Sequence, residues 1–182
     1  MLNDPRHCGP AGGDKRFLLE LGLDCQFRDP GRAGFLPMQL VEKSVLVAHT
    51  PAQMYALVDD IENYSRFLPW CGKTEVLSRD GGQVVASLHI DYLKVRQQFT
   101  TRNHNVENES IRMELVEGPF EQLEGVWSFK PLGDFGCKIE FSLRYQFSSR
   151  ILEKLIGPVF GHISGSLVDA FIKEADRKYG DD

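Results

Sequence analysis

Cys137-Lys138-Ile139-Glu140-Phe141-Ser142-Leu143-Arg144-Tyr145-Gln146-Phe147 runs, two serines later, into a long segment from Arg150 to Tyr179. The first stretch alternates strictly. Cys137, Ile139, Phe141, Leu143, Tyr145 and Phe147 fall on one side, and Lys138, Glu140, Ser142, Arg144 and Gln146 on the other. A period of two means one buried and one wet face, as in an antiparallel sheet. In the second stretch Ile151, Leu155, Val159, Ile163, Leu167, Phe171 and Ala175 step by four, and Leu152, Ile156 and Phe160 broaden the stripe. That spacing predicts one long amphipathic helix over 150–179. A one-sided sheet and a one-sided helix bury each other when the sheet curls around the helix. The expected class is α+β in a helix-grip arrangement: a curved antiparallel sheet wrapped around a long C-terminal helix.

Working outward, Gln39 to Ala48 reads as a first strand. Thr50-Pro51-Ala52-Gln53 then supplies an N-cap, a proline in the first turn and a glutamine three residues after the cap; each favours a helix start. Met54, Leu57, Val58 and Ile61 recur at helical spacing, and Tyr64, Phe67 and Leu68 continue a second short helix that Pro69 ends. Strands follow over 74–78, 84–92, 95–106, 111–116 and 123–129. Their breaks are Arg79-Asp80-Gly81-Gly82, Glu107-Asn108-Glu109, Glu117-Gly118-Pro119-Phe120 and Gly133-Asp134-Phe135-Gly136. Two short helices thus follow the first strand, and six strands precede the final helix.

Residues 1–37 are rich in glycine, proline and charge, with one helix-like stretch from Lys15 to Leu23. They are expected to form a mobile arm, or to lie upstream of a true start at Met38, leaving residues 38–182 as the domain. The net charge of −5 comes from 21 basic and 26 acidic residues. The arm is balanced, so the excess sits in the domain, which argues against direct DNA binding through phosphate contacts. Cys8, Cys25, Cys71 and Cys137 form no CxxC pair and have no histidine at ligand spacing, so reduced thiols and no metal are expected. No unbroken apolar run reaches ~20 residues, and no secretory or transit-peptide pattern opens the chain. The expected location is cytoplasmic.

The inward positions are bulky. Expected around a ligand cavity are Tyr64, Phe67, Leu68, Trp70, Leu88, Ile90, Tyr92, Phe99, Met113, Phe120, Trp127, Phe129, Phe141 and Tyr145, with Leu155, Val159, Phe160, Ile163 and Leu167 from the long helix. The same side chains would serve equally as a plain core; a curved sheet around one helix tends to leave room for an apolar ligand. Gly157, Gly161 and Gly165 mark a bare strip beside Pro158. That strip reads either as a site of close approach with a gate, or as a bend that follows the sheet.

Three stretches resemble a known family. These are Tyr55 to Tyr64 running into Phe67-Leu68-Pro69-Trp70-Cys71; Val116-Glu117-Gly118-Pro119-Phe120 with Leu123, Gly125 and Trp127; and Phe141 to Phe147 with the final helix. Together they resemble the polyketide cyclase/dehydrase-type START family in its coenzyme Q-binding and RatA branch, over Met38 to Tyr179. The resemblance implies a START-like fold and a carrier of a hydrophobic small molecule, with ubiquinone or a related polyprenyl lipid bound in support of respiration and no cofactor required. Transient membrane contact goes with such a role. It also implies an alternative, a toxin that binds the large ribosomal subunit and blocks its joining to the small one, and more remotely a polyketide cyclase.

For catalysis the residues offer little. No paired carboxylates or Ser/His/Asp set stand out. His89 and Asp91 alternate onto the face opposite Leu88 and Ile90, and His104 sits near a strand end. His162, on the glycine-bearing helix, reads as a surface residue or as one titrating in a pocket. Lys94, Arg96 and Arg102 form a local basic patch. A binding protein rather than an enzyme is expected, with no catalytic residue assigned.

Overall fold

The computed structural model describes residues 36–133 and 136–180. The expected arm and its helix-like stretch therefore lie outside the described residues up to position 35. The described domain begins at Leu36, whose carbonyl accepts a hydrogen bond from Gln146 Nε2 at 2.6 Å.

Seven strands form one antiparallel sheet: β1 (Gln39–Val47), β2 (Cys71–Asp80), β3 (Gln83–Tyr92), β4 (Val95–Val106), β5 (Ser110–Glu117), β6 (Phe120–Pro131) and β7 (Cys137–Phe147). Between β1 and β2 lie α1 (Pro51–Asp59), one 3-10 turn (Ile61–Asn63) and α2 (Tyr64–Phe67); α3 (Arg150–Tyr179) closes the chain. The spatial order is β1-β7-β6-β5-β4-β3-β2, so five hairpins follow the chain and β1 adds on the far side of β7. This is the expected helix-grip architecture.

Local chemistry explains the element ends. Thr50 Oγ1 accepts from the Gln53 N–H at 3.2 Å while Gln53 Oε1 accepts from the Thr50 N–H at 2.8 Å, a complete capping box. Ser149 caps α3 by accepting from the Leu152 N–H. β2 reaches farther than its sequence pattern indicates. Gly81 and Gly82 both take positive φ, 53° and 81°, so the turn needs only two residues and Arg79 and Asp80 stay paired with Val84 and Gln83. Arg79 then reaches back to α1, where its Nη1 donates to Asp59 Oδ2 at 2.9 Å.

The alternation of β7 holds throughout: Cys137, Ile139, Phe141, Leu143, Tyr145 and Phe147 are all buried. Trp127 and Phe141 pair across β6 and β7 with ring centroids 4.5 Å apart. α3 bears on this face through two aromatic nests. Phe171 meets Tyr64, Phe67 and Trp127 at 5.2–5.3 Å, and Phe160 meets Phe120 and Tyr145 at 4.8 and 4.7 Å. Eleven residues of helix, about 16 Å, separate the nests.

The step-of-four stripe needs correction. The buried residues of α3 are Ile156, Phe160, Ile163, Ser164, Val168, Phe171 and Ala175, whereas Ile151 is 72% and Leu155 65% exposed. Four residues overshoot a full turn by about 40°, so a strict step of four winds around the helix. By Phe171 it has left the line of Ile151 by about half a turn. α3 is also long and apolar enough, by composition, to cross a membrane, which no unbroken apolar run indicated. One side of it packs in the grip of the sheet, and 33% of its most apolar 18-residue stretch is buried.

Candidate functional site: an apolar cavity and the groove outside it

Between the two aromatic nests the sheet and α3 do not meet completely. The cavity left there offers about 70 Å³ to the centre of a water-sized molecule. Of the expected residues, Tyr64, Trp70, Leu88, Ile90, Phe99, Met113, Trp127, Phe141, Phe160, Ile163 and Leu167 line it. So do Ile61, Thr101, Asn103, Leu123, Leu143, Ser164 and Phe171, beyond the expected set. The signal for Thr101 and Asn103 was present: alternation from Phe99 puts both on the inner face of β4. Hydrophobicity alone hides them.

The remaining expected residues sit elsewhere. Leu68, Phe120, Phe129 and Tyr145 are buried in the core around the cavity without lining it. Val159 is half-buried against the core, and Leu155 faces solvent for the helical reason given above. Phe67 and Tyr92 line an outer groove of about 700 Å³ between α2, the end of β3 and α3, together with Trp70, His162, Lys173 and Arg177. Trp70 touches both spaces and forms the wall between them. His162 is exposed and stacks on Tyr92, centroids 6.1 Å apart and planes within 9°.

No side chain on the cavity wall is charged. Its polar groups are few and mostly engaged. Tyr64 Oη donates to the Val58 carbonyl at 2.5 Å, and burial pushes its phenol well above the usual tyrosine range. Ser164 Oγ donates to the Phe160 carbonyl at 2.8 Å. Thr101 Oγ1 donates to Asn103 Oδ1 at 3.0 Å, which leaves the Asn103 amide nitrogen to donate to a ligand, beside the indole N–H groups of Trp70 and Trp127 on the same wall. Asn103 is 6% exposed, and a buried amide next to empty apolar space gains from any acceptor brought to it. Such a wall suits a neutral, largely apolar molecule carrying a carbonyl or ether oxygen.

The glycine strip imposes less than expected. A Cβ at Gly157 or Gly161 would meet Phe147 and Tyr145 only at ordinary contact, 3.7 and 3.9 Å, and at Gly165 it would meet nothing within 4 Å. Close approach does not demand these glycines. Among the described residues no group of three or more His, Cys, Asp or Glu could hold a metal ion. Cys71 and Cys137 are free and buried, and burial pushes the Cys71 thiol up to about 11.

Residues 47–172 match the family model described as polyketide cyclase / dehydrase and lipid transport. The chain is 38% identical over 150 residues to the Escherichia coli (strain K12) protein named ribosome association toxin RatA, covering 80% of this chain and 95% of that one. It is 31% identical to the Xenopus laevis coenzyme Q-binding protein COQ10 homolog B, mitochondrial, over 97% of this chain and 70% of that one. In structure it resembles the Zhui aromatase/cyclase from Streptomyces sp. R1128 with a TM-score of 0.70 at 20% identity, over 78% and 96% of the two chains. The 18 kDa protein CC1736 from Caulobacter crescentus superposes with a TM-score of 0.61 at 28% identity, over 80% and 100%. Motifs, fold and cavity agree, and the chain belongs to the polyketide cyclase/dehydrase and lipid-transport family, with the START-like helix-grip fold.

Proposed function

We propose that this protein binds and carries a neutral apolar molecule of the quinone or polyprenyl lipid class, in support of respiration. The observation that carries this reading is the uncharged cavity wall with one amide donor, Asn103, set among aromatic and aliphatic side chains. A prenyl tail gains about 25 cal/mol for each Å² taken from water and needs no charge to hold it. The relative named for coenzyme Q binding supports the same ligand class. The cavity in its present form admits several water-sized positions, so a prenylated quinone enters by displacing the Trp70 wall or by lifting α3. Free thiols at Cys71 and Cys137 suit a reducing, cytoplasmic setting. A carrier role also fits the wall better than catalysis does. Its one ionisable group is Tyr64, whose hydroxyl is already committed to a backbone carbonyl.

The test is organic extraction and mass spectrometry of the purified protein, followed by titration with ubiquinone. Stoichiometric recovery or saturable binding of a quinone or polyprenyl lipid is expected. An empty protein that also ignores added ubiquinone overturns the reading.

A second reading, association with the large ribosomal subunit, has its own support in the 38% identity to a relative named for ribosome association, along 95% of that relative's length. Overproduction followed by gradient sedimentation separates the two. Loss of joined ribosomes in favour of free subunits supports this second role, and unchanged profiles remove it.

A further inference from the structure

Leu93 and Ile151, each 72% exposed, are the two most exposed large apolar residues of the described chain, and Leu155 is 65% exposed. They share one side of the molecule. Ile151, Leu155 and His162 recur at spacings of four and seven, which places them on one helical face. His162 stacks on Tyr92, the residue preceding Leu93, and Phe160 packs edge-on against Phe99 of β4 at 6.1 Å. The first half of α3 therefore runs beside the β3–β4 hairpin, and its exposed apolar face continues onto the hairpin tip. Leu93 and Lys94 form the two-residue turn there with φ of 48° and 68°, a geometry that favours Asn-Gly. A leucine held out to solvent at that position is disfavoured by both backbone and burial.

The charges around this face are mostly basic in a chain whose net charge is −5. Lys94 and Arg96 stand at the tip, and Arg150 and Lys154 on the helix; all four are exposed. The acidic groups are Asp91, paired with Arg96 at 3.4 Å, Glu153, and Glu117, which shares a pocket with Leu152; Asp169 and Glu174 lie farther along α3 in the outer groove, where Arg66, Lys173 and Arg177 accompany them. From this arrangement we infer that the Leu93 hairpin and the first half of α3 dock the protein on an anionic lipid bilayer. The leucines and Ile151 enter the interface, and the lysines and arginines meet the headgroups. A phosphate backbone would satisfy the basic residues but give Leu93, Ile151 and Leu155 nothing to bury in. The outer groove with Tyr92, His162 and Trp70 lies against this face, so a docked molecule presents the cavity wall to the lipid.

The test sediments the full chain with quinone-free vesicles of phosphatidylcholine alone and of phosphatidylcholine mixed with phosphatidylglycerol. Failure here leaves ligand carriage standing, because no cavity ligand is present. Expected are binding to the anionic vesicles that weakens with salt, at least tenfold loss in the Leu93→Glu/Leu155→Glu variant, and about fivefold loss for Lys154→Glu. Leu77→Glu, at an exposed site on β2, should bind as the parent does, and matching circular dichroism melts show that each variant folds. Equal binding by parent and Leu93→Glu/Leu155→Glu overturns the proposal. So does no binding to either vesicle, or a requirement for the same residues in ribosome binding or self-association without any lipid binding.

Discussion

The rings of Tyr92 and His162 lie parallel, centroids 6.1 Å apart, and tie the end of β3 to the middle of α3 beside Trp70, which divides the cavity from the outer groove. An aromatic pair of this kind, half-buried on its Tyr92 side, is worth about 0.5–1.5 kcal/mol beyond its area, enough to hold a gate closed yet weak enough to open thermally. Tyr92→Ala should therefore speed association of a neutral apolar dye such as N-phenylnaphthylamine severalfold, with equilibrium affinity changed by less than about threefold. Stopped-flow fluorescence reads both. Unchanged rates would place the entrance elsewhere on the cavity wall.

Asn103→Leu tests the amide donor. A quinone carbonyl that loses this hydrogen bond should bind about tenfold more weakly, while the dye, which brings no carbonyl, should bind as well or better. The variant also strands the Thr101 hydroxyl, so a stability loss of about 1–3 kcal/mol is expected in urea unfolding. Parallel loss of both ligands would mean that Asn103 shapes the cavity rather than reads the ligand.

Core and surface positions on α3 should separate sharply. Phe171 is 1% exposed and touches three aromatic rings, so Phe171→Ala should cost about 3–5 kcal/mol. Leu155→Ala, at a site the step of four would have counted as core, should cost less than about 0.5 kcal/mol. Denaturant midpoints for the two variants decide whether the helical face is the one described.

Alkaline pH should unfold this domain before neutral or mildly acidic pH does. Burial raises the thiols of Cys71, to about 11, and Cys137, and raises the phenol of Tyr145. Groups with raised folded values favour the folded state fully below their unfolded values, about 8.5 for cysteine and 10 for tyrosine. The contribution is lost as pH climbs through the folded values. Urea midpoints should fall between about pH 8.5 and 11, and less steeply in Cys71→Ala. For the same reason both thiols should resist alkylation at neutral pH until the domain unfolds.

What the sequence determined by itself is the order of elements, the caps and turns, and the inner faces of the strands. Strand side chains repeat every two residues whatever the partner, so one aromatic residue sets the face of all of β7, and the Thr50–Gln53 capping box is complete within four residues. Helix faces are harder, because 3.6 residues per turn lets several near-periodic stripes compete; of one expected stripe, the position of Trp127 and Tyr145 kept Phe160 and Phe171 in the core and left Ile151 and Leu155 outside it. The tertiary structure alone decided that Thr101, Asn103 and Ser164 share one cavity, that Leu68, Phe120 and Phe129 are packed solid, and that Tyr92 meets His162. Asn103 and Ser164, and Tyr92 and His162, lie more than sixty positions apart in the chain, and their meeting depends on how tightly the sheet curls, a sum of many small twists that no single residue type encodes.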